Sequence, residues 1–308
     1  MPENARQYWT FATAMLNIGI IGLGLIGGSI ALALRAAKPD ATILAMDHDD
    51  AQLDLALRAG AIDAVAADYV AVANADVIFI CVPVAQSAEI FGSLRAHLKP
   101  GTVLTDVGST KQSVAVFARA HLGSEASRFV PGHPIAGREH SGFAAAASEL
   151  FNGRHVVLTP LAENPPDAVE TVRTLWRACG ARVVEMTPKN HDDIFAAVSH
   201  LPHMLAFALV DEFASRSNAK ELFSFAASGF RDFTRIASSS PEMWRDIALD
   251  NREALLRELD RYLECAQAFR TALASGDAAA IEATMSRARR ARDRWLAGDL
   301  TEFRDESV

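Results

Sequence analysis

Three groups of residues have types and spacings that could do chemistry. The first is Gly22-Leu-Gly24-Leu25-Ile26-Gly27, a GxGxxG placed directly after the apolar run Asn17 to Ile21 and before a helical stretch that carries Ile30 to Leu34. Gly22 permits a tight turn, Gly24 lets backbone approach a pyrophosphate, and Gly27 lets helix and strand pack closely, so the helix N-terminus opened by Leu25 and Ile26 faces the phosphates. A second apolar run, Thr42 to Met46, ends in Asp47, 20 residues after Gly27. A carboxylate there accepts the ribose hydroxyls and repels a 2′-phosphate, which predicts NAD as the cofactor in preference to NADP. The run Val77 to Val82 ends in Pro83, and the loop at Val82 and Pro83 is expected under the nicotinamide half of the dinucleotide.

The second group lies on two polar loops, Thr105-Asp-Val-Gly-Ser109-Thr-Lys111 and Phe129-Val-Pro-Gly-His133-Pro-Ile-Ala-Gly137-Arg138-Glu139-His-Ser-Gly142. Both are expected at strand C-terminal ends, where open α/β sheets bind ligands. His133 is fenced by Gly132, Pro134 and Gly137, which fix the backbone and aim one imidazole. With an unperturbed pKa of about 6.5 its imidazole is partly neutral at physiological pH and can accept a proton, and an activity that used it should rise with pH near that value. Ser109 reads as a turn serine capping a helix that begins near Thr110. The third group sits on a long helix expected from Lys189 to Ser215, with His200 and His203 at i and i+3. Asp192 precedes His203 by eleven residues, which places the two on one helical stripe. No metal is expected there, because a third ligand is not evident and Pro202 disrupts the helix between the histidines.

The elements that must position these groups follow from hydrophobic periodicity. Apolar runs alternate with helical-period segments from Asn17 to about Glu185, the pattern of a mostly parallel sheet covered by helices. The expected strands are 17–21, 42–46, 77–82, 102–106, 129–132, 155–159 and 182–185. After Thr187 no strand-like run appears and Ala, Leu, Glu and Arg recur at three-to-four spacing. The prediction is an α/β chain: a Rossmann-type dinucleotide-binding domain over 15–187, then an all-helical domain over 188–308. Leu201, Met204, Leu205, Phe207 and Leu209 crowd one segment of the second part, which predicts a homodimer built from the helical half.

Composition narrows the function. The chain has 308 residues, of which 50% are hydrophobic and 22% charged, and its formal net charge is −8, which argues against a broad nucleic-acid surface or a polybasic membrane anchor. Three well-separated cysteines without CxxC spacing fit a reducing compartment, the cytoplasm. The uncharged stretch Tyr8 to Leu34 is long enough to span a bilayer, but five glycines interrupt it in the pattern already explained. Met15 stands two residues before the first strand, so residues 1–14 are expected to be a loose extension.

Taken together and in order, GLGLIGGS, DVGSTK, GHPIAGREHSG, Ser199-His-Leu-Pro-His203 and Gly229-Phe-Arg-Asp-Phe-Thr-Arg235-Ile-Ala resemble the prephenate/arogenate dehydrogenase family of tyrosine biosynthesis. The resemblance spans Asn17 to about Leu259. It implies oxidative decarboxylation: hydride passes from the hydroxyl-bearing ring carbon of prephenate to NAD, the ring carboxylate leaves as CO2, and 4-hydroxyphenylpyruvate forms. By the same resemblance His133 takes or polarises the hydroxyl proton and Ser109 hydrogen-bonds that hydroxyl. Arg235, ranked above Arg231, binds a carboxylate of the small dianionic substrate. His203 faces the substrate side chain and Asp192 supports the site, with His200 structural. Trp244 lies near the active site or packs a helix, and Glu139 closes the pocket. Arg138 departs from a position where many members carry a small polar residue, and a cation there would repel the amine of arogenate. Alternatives are an arogenate or dual-specificity cyclohexadienyl dehydrogenase, a β-hydroxyacid dehydrogenase using Lys189, and a nucleotide-sensing protein without turnover.

Overall fold

The computed structural model describes residues 16–138 and 140–299. The expected extension over residues 1–14 and the pocket-closing Glu139 lie outside the described residues. The first half opens with strand β1 (Asn17–Ile21), helix α1 (Leu25–Ala37), β2 (Thr42–Met46), α2 (Asp50–Arg58), β3 (Ala64–Val65), α3 (Tyr69–Ala73), β4 (Val77–Ile80), α4 (Ser87–Arg95), β5 (Val103–Asp106) and α5 (Gln112–Leu122). The five strands form a parallel sheet in the order β3-β2-β1-β4-β5. Alternation along the strands sends side chains to two separate cores. Ile18, Ile20, Val77 and Phe79 pack with Ile30 and Leu34 of α1, whereas Ile78, Ile80 and Leu104 pack with Phe91 and Leu94 of α4 and Val114 of α5. The chain leaves β1 and β4 toward opposite flanks of the sheet, so a crevice opens between their C-terminal ends.

Three further strands form a second sheet. These are β6 (Gly132–Pro134), β7 (His155–Leu158) and β8 (Arg182–Glu185), with α6 (Pro166–Ala178) before β8. β6 runs antiparallel to β7, and β7 parallel to β8. Trp176 of α6 ties this layer to the first, meeting Phe79 edge-on at 5.7 Å and Phe151 at 5.1 Å between ring centres. Two expectations are corrected here. The short β3 was not foreseen, because two exposed residues carry no alternation. The expected strand 129–132 is displaced: Phe129 makes only an isolated bridge to Leu104, Pro131 has no N–H to give, and the strand resumes at Gly132, so His133 is the middle residue of β6 opposite Val157.

The segment after β6 is anchored on the glycine-motif helix. Phe143 packs against Gly28 of α1, where an added Cβ would lie 2.6 Å from its ring. Its backbone N–H donates to Gln52 Oε1 at 2.6 Å, and the Ala147 N–H donates to Ser29 Oγ at 3.0 Å.

From Pro188 the chain is helical. α7 (Pro188–Phe195) passes through one π turn (Ala196–His200) into α8 (Leu201–Ala214), followed by α9 (Ala219–Ser224), α10 (Ser228–Thr234), a short 3-10 turn (Arg235–Ser238) and α11 (Pro241–Asp250). Pro202 does not break this helix. Its ring would strike the carbonyl four residues back in a regular helix, and the π turn instead has Leu201 N–H reaching the Ala196 carbonyl. The 188–214 helix is long and apolar enough to cross a membrane, yet it carries buried His191, Asp192 and His200. Compactness divides the chain after Arg252. The second unit holds most of α12 (Arg252–Ser275) and all of α13 (Ala278–Leu296), whose first turn is capped by Asp277 accepting from Ala280 N–H at 2.9 Å.

Candidate active site

The glycine turn is built by three different constraints. Gly22 has φ +95°, and a Cβ there would lie 2.5 Å from the Cys81 carbonyl oxygen. At Gly27 a Cβ would fall 1.9 Å from the Gly22 carbonyl oxygen, so helix and turn touch directly. Gly24 is different: nothing in the described protein lies within 4 Å of a Cβ there. No packing demand among the described residues explains that glycine, and the open space beside it suits an approaching pyrophosphate. The first turn of α1 has no side-chain cap and no acidic residue, which leaves the amides of Leu25 and Ile26 for an anion. Asp47 is almost buried, accepting Leu23 N–H at 2.5 Å and Asp49 N–H at 2.9 Å, and is thereby fixed against the turn at the end of β2. Val82 rests beside Gly22 and Pro83 is exposed. These residues fit a dinucleotide.

The second cluster is a buried chain of hydrogen bonds. Asp192 of α7 accepts the N–H groups of Lys111 and Gln112 at 2.8 and 2.9 Å, and so caps α5 from outside that helix. Ser109 therefore does not cap α5, which starts at Gln112; it is half-buried in the loop. Burial would raise the Asp192 carboxyl, but hydrogen bonds from His191, Gln112 and Lys111 outweigh it and hold the group below the usual carboxylate range. An ionised carboxylate only accepts, so His191 donates Nδ1–H to Asp192 Oδ1 at 2.8 Å. Its Nε2 is then a lone pair, which accepts His133 Nδ1–H at 2.8 Å. His133 is left with a bare Nε2.

Burial, followed by the nearby His191, Lys111 and His200, pushes His133 well below the usual histidine value. The expected pH limb near 6.5 is therefore corrected toward acid. Underneath, the ion pair of Lys111 and Asp106 grips the residue before His133. Lys111 Nζ donates to Asp106 Oδ2 at 2.5 Å and to the Gly132 carbonyl at 2.7 Å, while Gly132 N–H donates to Asp106 Oδ1 at 3.0 Å. Sequence reasoning missed Asp106, Lys111 and His191. The signals were an acid ending an apolar strand five residues before a lysine in DVGSTK, and a His-Asp pair opening a helix.

His203 belongs to a separate cluster. It donates Nδ1–H to the Ser199 carbonyl at 2.8 Å and stacks on Trp244 of α11 at 3.6 Å between ring centres. Asp192 and His203 thus serve different partners, because the π turn between them shifts the helical phase that a regular stripe assumes. Burial lowers His203, and the Arg235 charge adds to this, which places Arg235 within electrostatic reach. Trp244 is nearly buried, and its Nε1–H has no partner among the described residues. His200 is fully buried and faces Asn251. Arg138 is turned to Glu149 at 3.3 Å and to the Ala145 carbonyl at 3.2 Å. Among the described residues no group of three or more His, Cys, Asp or Glu could hold a metal ion.

Comparison with known proteins shows the family. Residues 30–185 match the family described as prephenate dehydrogenase, nucleotide-binding domain, and residues 187–287 match prephenate dehydrogenase, dimerization domain. The chain is 41% identical over 266 residues to prephenate dehydrogenase of Bacillus subtilis, covering 85% of this chain and 71% of that protein. It is 37% identical over 268 residues to cyclohexadienyl dehydrogenase of Zymomonas mobilis, covering 86% and 91%. The crystal structure of prephenate dehydrogenase from A. aeolicus in complex with hydroxyphenyl propionate and NAD+ superposes with a TM-score of 0.86 at 32% identity, covering 92% of this chain and 99% of that one.

Proposed function

We propose, given that this chain belongs to the prephenate dehydrogenase family, that it oxidises and decarboxylates prephenate to 4-hydroxyphenylpyruvate as an NAD-dependent enzyme. The observation that carries the mechanism is the chain Asp192–His191–His133, which leaves a lone pair on His133 Nε2. NAD, when held by Gly24, the amides of Leu25 and Ile26, Asp47 and the Val82–Pro83 loop, supplies the hydride acceptor. His133 takes the proton of the ring hydroxyl on Nε2 as hydride departs from the carbon that bears it; the electron pair left by the departing CO2 then aromatises the ring to a phenolate, which takes the proton back from His133. The charge gained by His133 is felt through its Nδ1–H by His191 and then by ionised Asp192. Ser109 orients the hydroxyl. Arg235 and the Trp244 Nε1–H, which has no partner among the described residues, bind a substrate carboxylate, with His203 stacked on Trp244. Steady-state oxidation of prephenate followed as NADH absorbance tests this reading, and the absence of turnover with NAD would reject it.

Two expected results follow from these assignments. Arg235→Gln should raise KM for prephenate about 10- to 100-fold, because a hydrogen bond to a charged group is worth about 1.5–3 kcal/mol, while KM for NAD stays put. An unchanged KM for prephenate would move the role to Arg231. Asp47→Ser should narrow the preference for NAD over NADP measured as kcat/KM, and also weaken NAD, since Asp47 holds the Leu23 amide. A wild-type enzyme that used NADP as well as NAD would refute the role of Asp47.

A second reading has its own support. The Zymomonas relative is named a cyclohexadienyl dehydrogenase, and Arg138 pairs with Glu149, whose carboxylate offsets its charge. Kinetics with arogenate separate the two. We also read residues 15–187 and 188–308 as the two functional domains and the protein as a cytoplasmic homodimer. The match to a dimerization domain and the exposed apolar Ile194 and Val198 on the 188–214 helix support the dimer.

A further inference from the structure

We propose that Asn251 is a positioning residue for this reaction, holding buried His200 as the neutral tautomer with its proton on Nε2, so that no imidazolium stands beside His133 and His203. The proposal rests on the function above for the identity of the reaction alone. Asn251 closes α11, where its backbone N–H donates to the Ile247 carbonyl at 3.0 Å, and its side chain is buried. Its Nδ2 lies 2.7 Å from the Asp192 carbonyl oxygen and 3.1 Å from His200 Nδ1. A backbone carbonyl can only accept, so the amide nitrogen must face it and the amide cannot be turned over. The same nitrogen directs its second hydrogen at His200 Nδ1, which must then be a lone pair. A neutral imidazole has one hydrogen left to place, and it goes on Nε2.

Protonating His200 would set Nδ1–H against N–H, so Asn251 also excludes the imidazolium. Burial acts in the same sense and lowers His200 to about 4. The position of His200 makes the tautomer matter. It lies within electrostatic reach of both His133 and His203, and its ring centre is 6.0 Å from that of Trp244. This buried region thus holds a bare nitrogen at His133 and N–H groups at His200 and Trp244. The amide that sets one of those polarities belongs to neither histidine cluster, and it also ties α11 to the backbone of Asp192.

The tautomer can be read on the protein alone. Two-bond ¹⁵N–¹H correlation spectra, with His200 assigned by the loss of its signals in His200→Gln, should show a neutral ring protonated on Nε2 at pH 7. A ring protonated on Nδ1, or an imidazolium, would overturn the proposal. Two variants then separate tautomer control from packing. Asn251→Ala removes the donor and should lower kcat/KM for prephenate about tenfold, the scale of one or two ordinary hydrogen bonds, without altering KM for NAD. Asn251→Asp turns an acceptor toward His200 and should move the ring proton to Nδ1 in the same spectra, whatever it does to activity. A ring that stayed neutral and protonated on Nε2 in that variant would overturn the proposal. Should Asn251→Asp not fold, the wild-type spectrum and the alanine variant decide. A failure of the proposed function appears instead as no turnover of prephenate by the unmodified enzyme.

Discussion

Replacing His133 by asparagine is expected to lower kcat about 10²- to 10⁴-fold, the contribution of a positioned base, with binding of NAD retained. Asparagine keeps a polar side chain in β6 but has no lone pair basic enough to take the hydroxyl proton. The pH dependence gives an independent check. The base works in its neutral form, so kcat/KM should be flat at neutral pH and fall only as pH drops through the His133 pKa of the free enzyme. Burial and the neighbouring His191, Lys111 and His200 lower that pKa, so the falling limb belongs on the acid side of 6.5. In His133→Asn the limb should vanish from the residual activity. Near-normal kcat with the same limb would exclude His133 as the base.

Asp192→Asn should be nearly as damaging, about 10³-fold in kcat, the scale on which a wrong histidine tautomer acts. Asp192 accepts from Lys111, Gln112 and His191, and an amide cannot accept on both ends. With the NH2 in place of Oδ1 both Lys111 N–H and His191 face a donor, and with it in place of Oδ2 the Gln112 N–H does. Freed of its anion, His191 can hold its proton on Nε2, which opposes Nδ1–H of His133 and drives the His133 proton to Nε2, where the lone pair was. The double variant His133→Asn/Asp192→Asn should be no slower than His133→Asn alone, since both disable one unit. Retention of more than about a tenth of kcat in Asp192→Asn would dismiss the relay.

What could be read without coordinates was whatever one segment encodes. The GxGxxG turn and Asp47 were legible because strand, turn and helix are contiguous, and the spacing to the second strand is set by one helix. The alternation of strands and helices up to Glu185 was legible for the same reason. His133 was marked by its own neighbours, Gly132, Pro134 and Gly137. Its partners were not, because they act across the fold: His191 is 58 residues away, and the Asp192 that caps α5 is 81 residues from Lys111. The π turn escaped a reading that assumes 3.6 residues per turn throughout, and with it the separation of Asp192 from His203.

The anchoring of Phe143 and Ala147 on Gly28, Ser29 and Gln52 bears on how such enzymes can be recombined. A chimaera joined anywhere between Gln52 and Phe143 takes the cofactor helix from one parent and the segment following the base from another. The ring of Phe143 would then meet whatever the parent supplying the cofactor helix carries at position 28, where even one added carbon collides. Crossovers placed beyond Ala147 inherit both sides of this contact together. In a shuffled library, survivors should therefore be depleted of junctions in the interval 53–142, although no residue there need touch substrate or cofactor for that bias to arise.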